Sequence, residues 1–152
     1  MMYMRIYLDN CCYNRPYDDQ SQIRIHLETE AKLHIQELIK DGKLELVTSF
    51  VLFYENDKNR VMHKKWTISE FMNTNGAYYV SGSREDALKE IAKPIMDTGV
   101  KEKDAYHVAC SILAKADYFI TTDDRLLKYQ SAEVAIVTPG EFIRRLEEKR
   151  NE

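Results

Sequence analysis

Four acidic residues lie just beyond predicted strands or in the first turns of predicted helices. They are Asp9, Glu55, Asp104 and Asp123. Asp9 follows an apolar run at residues 6–8, and Asp123 follows another at residues 118–121. In an open parallel sheet, the loops beyond the carboxyl ends of the strands converge on one crevice. We therefore expect the four carboxylates to meet there, although each alone is also explained as a helix cap, a helix-dipole contact or a solvated side chain.

Four carboxylates at one place need a compensating positive charge. Two of them about 5 Å apart repel by roughly 3 kcal/mol at an effective dielectric constant near 20. Mg²⁺ or Mn²⁺ relieves this repulsion, because both ions prefer carboxylate and water oxygens and also bind substrate phosphates. Such a site suits hydrolysis of phosphodiester bonds, in which the metal activates water and neutralises charge on the attacked phosphate.

The elements that must position these acids alternate between strands and helices. Strands are predicted at residues 3–8, 43–49, 77–80, 118–121 and 133–137. Strands that alternate with helices imply a parallel sheet with right-handed connections and helices on both faces. The predicted fold class is therefore α/β, with three α/β/α layers around a central parallel sheet.

Capping patterns predict the helices of the first half of the chain. After a loop through Pro16, Asp19 and Gln22 predict the start of a helix that ends at Gly42. Its predicted apolar face consists of Ile23, Leu27, Ala31, Ile35 and Leu38. A helix capped by Thr48 or Ser49 follows the second strand, and residues 63–73 form another helix.

The second half contains three further helix signals. Ser83 and Asp86 predict a helix start, with a kink or an early end at Pro94 before Gly99. An apolar stripe then predicts a helix with Asp104 in its first turn. The stripe consists of Ala105, Val108, Ala109, Ile112, Leu113 and Ala116. The Thr-Pro-x-Glu sequence at residues 138–141 begins the last helix.

The bulk composition fits an ordinary globular protein of one domain, residues 1–152. Three cysteines, two of them adjacent, give no secreted disulfide pattern, and no apolar run approaches the roughly 20 residues that cross a bilayer. The N-terminal sequence lacks a secretory signal, so we expect a cytoplasmic protein without a membrane segment. A formal net charge of -3 argues against broad, charge-driven binding of nucleic acid but permits a nuclease with local basic patches.

Four sequence blocks resemble the PIN domains, which include the VapC-type toxins of toxin–antitoxin pairs. The blocks are "YLDNC", "FYEND", "KDAYHVACSILAKADYFITTDD" and "IVTPGEFI", and they span nearly the whole chain in the family's order. The resemblance implies a Rossmann-like topology and assigns Asp9, Glu55, Asp104 and Asp123 to an acidic cluster that binds Mg²⁺ or Mn²⁺. It also matches Thr121 to a hydroxyl beside that cluster. The T-x-D register favours Asp123 over Asp124 as the ligand, with Asp124 capping the next helix.

The same resemblance implies a ribonuclease that leaves a 3′-hydroxyl and a 5′-phosphate on its RNA substrate. A toxin of this kind has a cognate antitoxin that blocks the mouth of the site, and a homodimer is a family-level expectation. The family also contains RNA-processing members and members without demonstrated cleavage. A PIN-fold interaction module without catalysis is therefore one alternative. A phosphatase that is phosphorylated on Asp9 is another, although Cys11 stands where such enzymes have a second acid.

Several other residues have competing explanations. Asn10 and Arg15 flank the expected mouth, and Arg15 could contact a phosphate or brace the loop through Asp18 or Asp19. His107 follows Asp104 by three residues, but packing or hydrogen bonding explains it better than binding of a hard cation. Residues 56–66 combine four cations with Trp66, which suits either a grip on single-stranded RNA or a solvated helix face with one packed Trp.

Overall fold

A five-stranded, wholly parallel sheet forms the centre of the protein. The computed structural model describes residues 4–150. The strands are β1 (Met4–Leu8), β2 (Leu44–Ser49), β3 (Gly76–Val80), β4 (Tyr118–Ile120) and β5 (Ala135–Val137). Their order across the sheet is β3-β2-β1-β4-β5. Ile6 in β1 pairs with Leu46 on one side and with Tyr118 on the other, so β1 is the central strand.

Helices connect the strands and cover the sheet. They are α1 (Asn10–Asn14), α2 (Ile23–Lys40), α3 (Phe50–Asp57), α4 (Met62–Asn75), α5 (Glu85–Asp97), α6 (Glu102–Leu113), α7 (Asp124–Leu127) and α8 (Pro139–Arg150). Helix α2 packs against α8, and α5 packs against α6. The predicted α/β class with a three-layer α/β/α arrangement is confirmed. No helix within residues 4–150 is both long enough and apolar enough to cross a lipid bilayer.

The central position of β1 explains its apolar sequence. Ile6, Tyr7 and Leu8 are all fully buried, because both faces of this strand are covered by helices. The Tyr7 ring stacks on Phe119 of β4, with ring centroids 5.3 Å apart. Burial of these side chains fixes the position of the residue that follows them, Asp9.

Most of the predicted boundaries are confirmed to within a few residues. Ser49 caps α3, since its Oγ accepts a hydrogen bond from the Leu52 N–H at 3.1 Å. Gly42 ends the turn after α2 with a φ of +73°, which a glycine adopts without strain. Thr138 Oγ1 accepts from the Glu141 N–H at 3.0 Å, as the Thr-Pro-x-Glu pattern predicts.

The prediction for the segment between β1 and α2 is wrong in two respects. Residues 10–14 form α1 instead of a loop, and Asp9 caps that helix by accepting from the Asn10 N–H. Helix α2 begins at Ile23 without a side-chain cap, because Asp19 instead accepts from the N–H and hydroxyl of Ser21. The predicted first strand includes residue 3, which lies outside the described residues.

The predicted apolar face of α2 is also wrong at its start. Ile23 and Leu27 are 78% and 61% exposed, whereas Glu28 and Lys32 are buried. Glu28 tolerates burial because its carboxylate pairs with Arg15 at 3.1 Å and with Arg24 at 3.3 Å. The polar residues of this turn therefore face the protein, and the apolar ones face outwards.

The capping pattern predicted before α5 does not form. Ser83 Oγ shares a hydrogen bond with Ser81 Oγ, and the helix begins at Glu85 without a side-chain cap. Pro94 does not end α5, which continues to Asp97 before Gly99 adopts a φ of +103°. The next helix agrees with the prediction, since Ala105, Val108 and Ala109 are buried.

Candidate active site

The topology of the sheet creates a crevice beside the end of β1. From β1 the chain builds the sheet outwards through β2 and β3, and then crosses back to place β4 on the other side of β1. The Asp9 N–H donates to the Ile120 carbonyl at 2.9 Å, which joins the ends of β1 and β4. Ligands of open α/β proteins bind at such a switch in strand order.

Asp9 is held in place from both sides of this crevice. Its Oδ1 accepts from the Asn10 N–H at 2.8 Å, and its Oδ2 accepts from the Thr121 hydroxyl at 2.8 Å. Cys11 Sγ lies 3.4 Å from the same Oδ2. The carboxylate is buried and rigidly oriented, with remaining lone pairs on both oxygens.

Thr121 connects Asp9 to Asp123. The Thr121 Oγ1 that donates to Asp9 also accepts from the Asp123 N–H at 3.1 Å. Asp123 caps α7 by accepting from the Arg125 N–H at 2.9 Å. The expectation that Asp124 caps this helix is therefore wrong. Asp124 instead forms an exposed ion pair with Arg24, at 2.8 Å and 3.0 Å to its two oxygens.

Asp104 lies half-buried in the first turn of α6 and faces the other acids. Burial raises the pKa of its carboxyl, and the negative charges of Asp9 and Asp123 raise it further. Asp104 and Asp123 also line the same cleft, which has a volume of about 570 Å³. Thr121 thus holds Asp9 beside the Asp123 backbone, and Asp104 lies close enough to both acids for their charges to act on it.

Glu55 approaches Asp9 from α3, but it also pairs with Lys103 and His107. A Glu55 oxygen lies within 4.8 Å of an Asp9 oxygen and of a His107 ring nitrogen. Its Oε2 is 2.6 Å from Lys103 Nζ, and its Oε1 is 3.0 Å from His107 Nε2. Burial raises the pKa of Glu55, but the hydrogen bonds from His107 and Lys103 outweigh it and lower the pKa to about 2. Glu55 is therefore ionised at neutral pH.

His107 orients Glu55 from the buried side of the site. Its ring is fully buried, with Nε2 at Glu55 and Nδ1 2.7 Å from the Tyr7 hydroxyl. The Tyr7 hydroxyl in turn lies 2.8 Å from Ser49 Oγ. Because both ring nitrogens have partners, the expectation that His107 serves packing and hydrogen bonding is confirmed.

Sequence reasoning missed Lys103, Tyr7 and Ser49 as parts of this network. Lys103 and His107 are four residues apart on α6, so they share a helix face that approaches Glu55. That spacing was a usable signal. No sequence signal links Tyr7 to His107, which lies 100 residues further along the chain.

The remaining predicted site residues have structural partners. The Asn10 side-chain oxygen accepts from Asn14 Nδ2 at 3.3 Å. Arg15 pairs with Asp18 at 3.0 Å and with Glu28 at 3.1 Å, so its guanidinium braces the loop as the alternative predicts. The expected packing of Trp66 is wrong, because this side chain is 65% exposed.

Comparisons with known proteins identify the fold. No family model matches the sequence, and no curated protein matches it. Among solved structures, the chain resembles a chain in the crystal structure of VapBC2 from Rickettsia felis, bound to a DNA fragment from the VapBC2 promoter. The TM-score is 0.56 at 11% sequence identity, and the match covers 88% of this chain and 97% of that chain. The chain has a PIN-like fold.

The PIN-like fold accounts for the placement of the acids. Its central strand supplies Asp9, and the neighbouring β4 supplies Asp123 through the turn that follows it. At 11% identity the similarity shows the fold alone, because one fold supports many different chemistries.

Those side chains fit a hard divalent cation. Asp9 and Glu55 provide carboxylate oxygens within 4.8 Å of each other, and Asp104 and Asp123 add carboxylates that line one cleft. Mg²⁺ and Mn²⁺ prefer such oxygens. Burial raises the pKa of the Asp104 carboxyl most, and the negative charges of Asp9 and Asp123 raise it further. Lys103 compensates part of the negative charge of these acids. It interacts most strongly with Glu55 and more weakly with Asp104 and Asp9.

Proposed function

We propose that this protein is a divalent-metal-dependent ribonuclease that hydrolyses RNA phosphodiester bonds through its acidic cluster. The placement of Asp104 and Asp123 in the lining of one open cleft, with Asp9 joined to Asp123 through Thr121, carries this proposal. A cleft lined by carboxylates can bind a phosphodiester only when cations offset the repulsion between the two. Mg²⁺ or Mn²⁺ supplies that offset in the way that hydrolytic metal sites require.

In this proposal Asp9, Glu55, Asp104 and Asp123 hold the metal. When bound, the ion would polarise the scissile phosphate and lower the pKa of a water molecule. Thr121 keeps Asp9 in its orientation through the 2.8 Å hydrogen bond and leaves both aspartate oxygens with free lone pairs. This preorganisation avoids the cost of reorienting the carboxylate when the cation arrives.

Glu55 and Lys103 add one negative and one positive charge beside Asp9. Glu55 remains a catalytic candidate because it is ionised and within 4.8 Å of Asp9. His107 and Lys103 hold both of its oxygens, so it can orient a water molecule without moving. The Lys103 side chain is 61% exposed and carries a positive charge towards the place where a substrate phosphate would lie.

We also propose that residues 1–152 act as one PIN-like domain and as the toxin of a toxin–antitoxin pair. One similar solved structure is VapBC2 bound to promoter DNA. By analogy, an antitoxin would be the protein partner of this chain, with RNA as substrate and a homodimer as the expected assembly.

An interaction module without catalysis is the second candidate. The Glu55–Lys103 ion pair at 2.6 Å favours it, because an ammonium already compensates part of the charge that a metal would compensate. In that case the acidic mouth would bind a basic partner segment, and neutralising its carboxylates would change binding but no reaction rate.

Cleavage of labelled single-stranded RNA by the purified protein tests the proposed function. We expect cleavage with Mn²⁺ or Mg²⁺, no cleavage with EDTA, and a loss of at least about 100-fold in rate for Asp104→Asn. Asp124→Asn is the matched control. This substitution removes the same charge nearby, but from a carboxylate that pairs with Arg24. Equal rates for Asp104→Asn and the natural protein would refute the proposal, and metal binding without any cleavage would favour the interaction module.

A further inference from the structure

The cleft lined by Asp104 and Asp123 is also lined by basic residues. It runs between the turn that joins α5 to α6 and the segment that begins with α7. Its lining includes three cationic side chains, Lys101, Arg125 and Lys128, all of them on exposed residues. The lining of one cleft therefore contains both carboxylates and cations.

These cations are not neutralised by the acids around them. Asp124 is next to Arg125 in sequence, but its carboxylate pairs with Arg24. Asp123 accepts from the backbone N–H of Arg125 and not from its guanidinium. Within residues 4–150 no ion pair joins Lys101, Arg125 or Lys128 to a carboxylate, so three donors of hydrogen bonds to anions face one space.

The size and chemistry of the cleft fit a nucleotide strand. A volume of about 570 Å³ is in the range of sites that enclose small ligands. Tyr129 also lines the cleft and is only half-buried, which leaves ring surface for stacking on a base. Cations that follow a backbone, combined with an aromatic ring, are the usual means of binding single-stranded nucleic acid.

We propose that this cleft binds the single-stranded RNA on one side of the scissile phosphate, with Lys101, Arg125 and Lys128 contacting backbone phosphates and Tyr129 stacking on a base. This inference rests on the proposed ribonuclease function and adds the path of its substrate. The cations hold the polyanion beside a mouth that would otherwise repel it. The strand then leads to the acids, where one of its phosphates is positioned for attack.

Binding is measured with a fluorescently labelled single-stranded RNA of ten nucleotides, by anisotropy in EDTA at several KCl concentrations. The test variant carries Lys101→Ala, Arg125→Ala and Lys128→Ala. Each lost phosphate contact lowers the slope of log affinity against log salt by about 0.7, so three contacts lower it by about 2. We expect an affinity loss on the order of 100-fold near 0.1 M KCl.

The matched control carries Lys40→Ala, Lys43→Ala and Lys115→Ala. These residues lie beside the amino-terminal ends of β2 and β4, at the opposite edge of the sheet, and their replacement changes the net charge equally. We expect this control to keep its affinity within about twofold and its salt slope. Tyr129→Leu should lose about tenfold in affinity without a change of slope, whereas Tyr129→Phe should bind like the natural protein.

Two results would overturn the inference. One is an unchanged affinity and salt slope in the triple cleft variant, and the other is no measurable RNA binding by the natural protein. Cleavage assays on the same proteins separate this failure from that of the proposed function. Loss of binding in the cleft variant, together with a natural protein that never cleaves, would sustain the RNA path and reject the nuclease. Cleavage by the natural protein, together with a triple cleft variant that binds RNA as tightly as the natural protein, would support the nuclease and reject the RNA path.

Discussion

Glu55→Gln removes one negative charge from the mouth but keeps an oxygen that accepts from His107 Nε2. Lowering the pKa of Glu55 from its ordinary value of 4.5 to about 2 corresponds to roughly 3 kcal/mol of stability at neutral pH. Because solvent reaches Lys103 and screens that part of the interaction, we expect a loss of about 1–2 kcal/mol in the free energy of unfolding.

The sign of the pH dependence follows from the direction of this shift. The pKa of Glu55 is lower in the folded protein than in the unfolded chain, so ionised Glu55 stabilises the fold above pH 4.5. That stability is lost as the pH falls from about 4.5 towards 2. The difference between the natural protein and Glu55→Gln should therefore be largest at pH 7 and shrink in acid.

Urea unfolding in EDTA, followed by far-UV circular dichroism at pH 7 and at pH 3.5, measures both quantities. Trp66 fluorescence is a poor reporter because that side chain is already exposed in the fold. Glu70→Gln serves as the control, since Glu70 is exposed on α4 and should change stability by less than about 0.5 kcal/mol. A Glu55→Gln difference that is absent at pH 7, or equally large at pH 3.5, would contradict the electrostatic account of this network.

Two further predictions concern other ionised side chains. Because the pKa of Asp104 is raised, its charge destabilises the fold, so Asp104→Asn should raise the thermal midpoint in EDTA at pH 7 and lose this advantage below about pH 4 in calorimetry. Lys32 is buried, no carboxylate within residues 4–150 pairs with it, and burial lowers its pKa to about 8. Lys32→Met should therefore stabilise the protein at pH 7 by about 1–3 kcal/mol in urea titrations, and the gain should narrow as the pH rises from 8 to 10.5.

The strands and the edge where the acids lie were predictable because their signals are local. Apolar runs such as residues 6–8 mark buried strands, and a parallel sheet gathers whatever follows its carboxyl ends. The position of Asp9 follows from these two rules. The roles assigned to the acids remain predictions, since only a reaction or a binding measurement tests them.

What the sequence did not predict depends on partners that are distant along the chain. The Tyr7–His107–Glu55 network joins three separate elements, and no periodicity within one element reveals it. Helix α2 shows the same limit, since Lys32 and Glu28 are buried and Ile23 is exposed. The arginines around Glu28, and not the apolar pattern, decide which side of that turn faces inwards.

The adjacency of β1 and β4 also sets when the site can exist during synthesis. Asp9 leaves the ribosome early, but the Thr121 hydroxyl that holds it comes 112 residues later, directly after β4. Pairing over such a separation is slow, because a long loop must close before any contact compensates its entropy. A nascent chain shorter than about residue 123 therefore lacks the residues that assemble the acidic site.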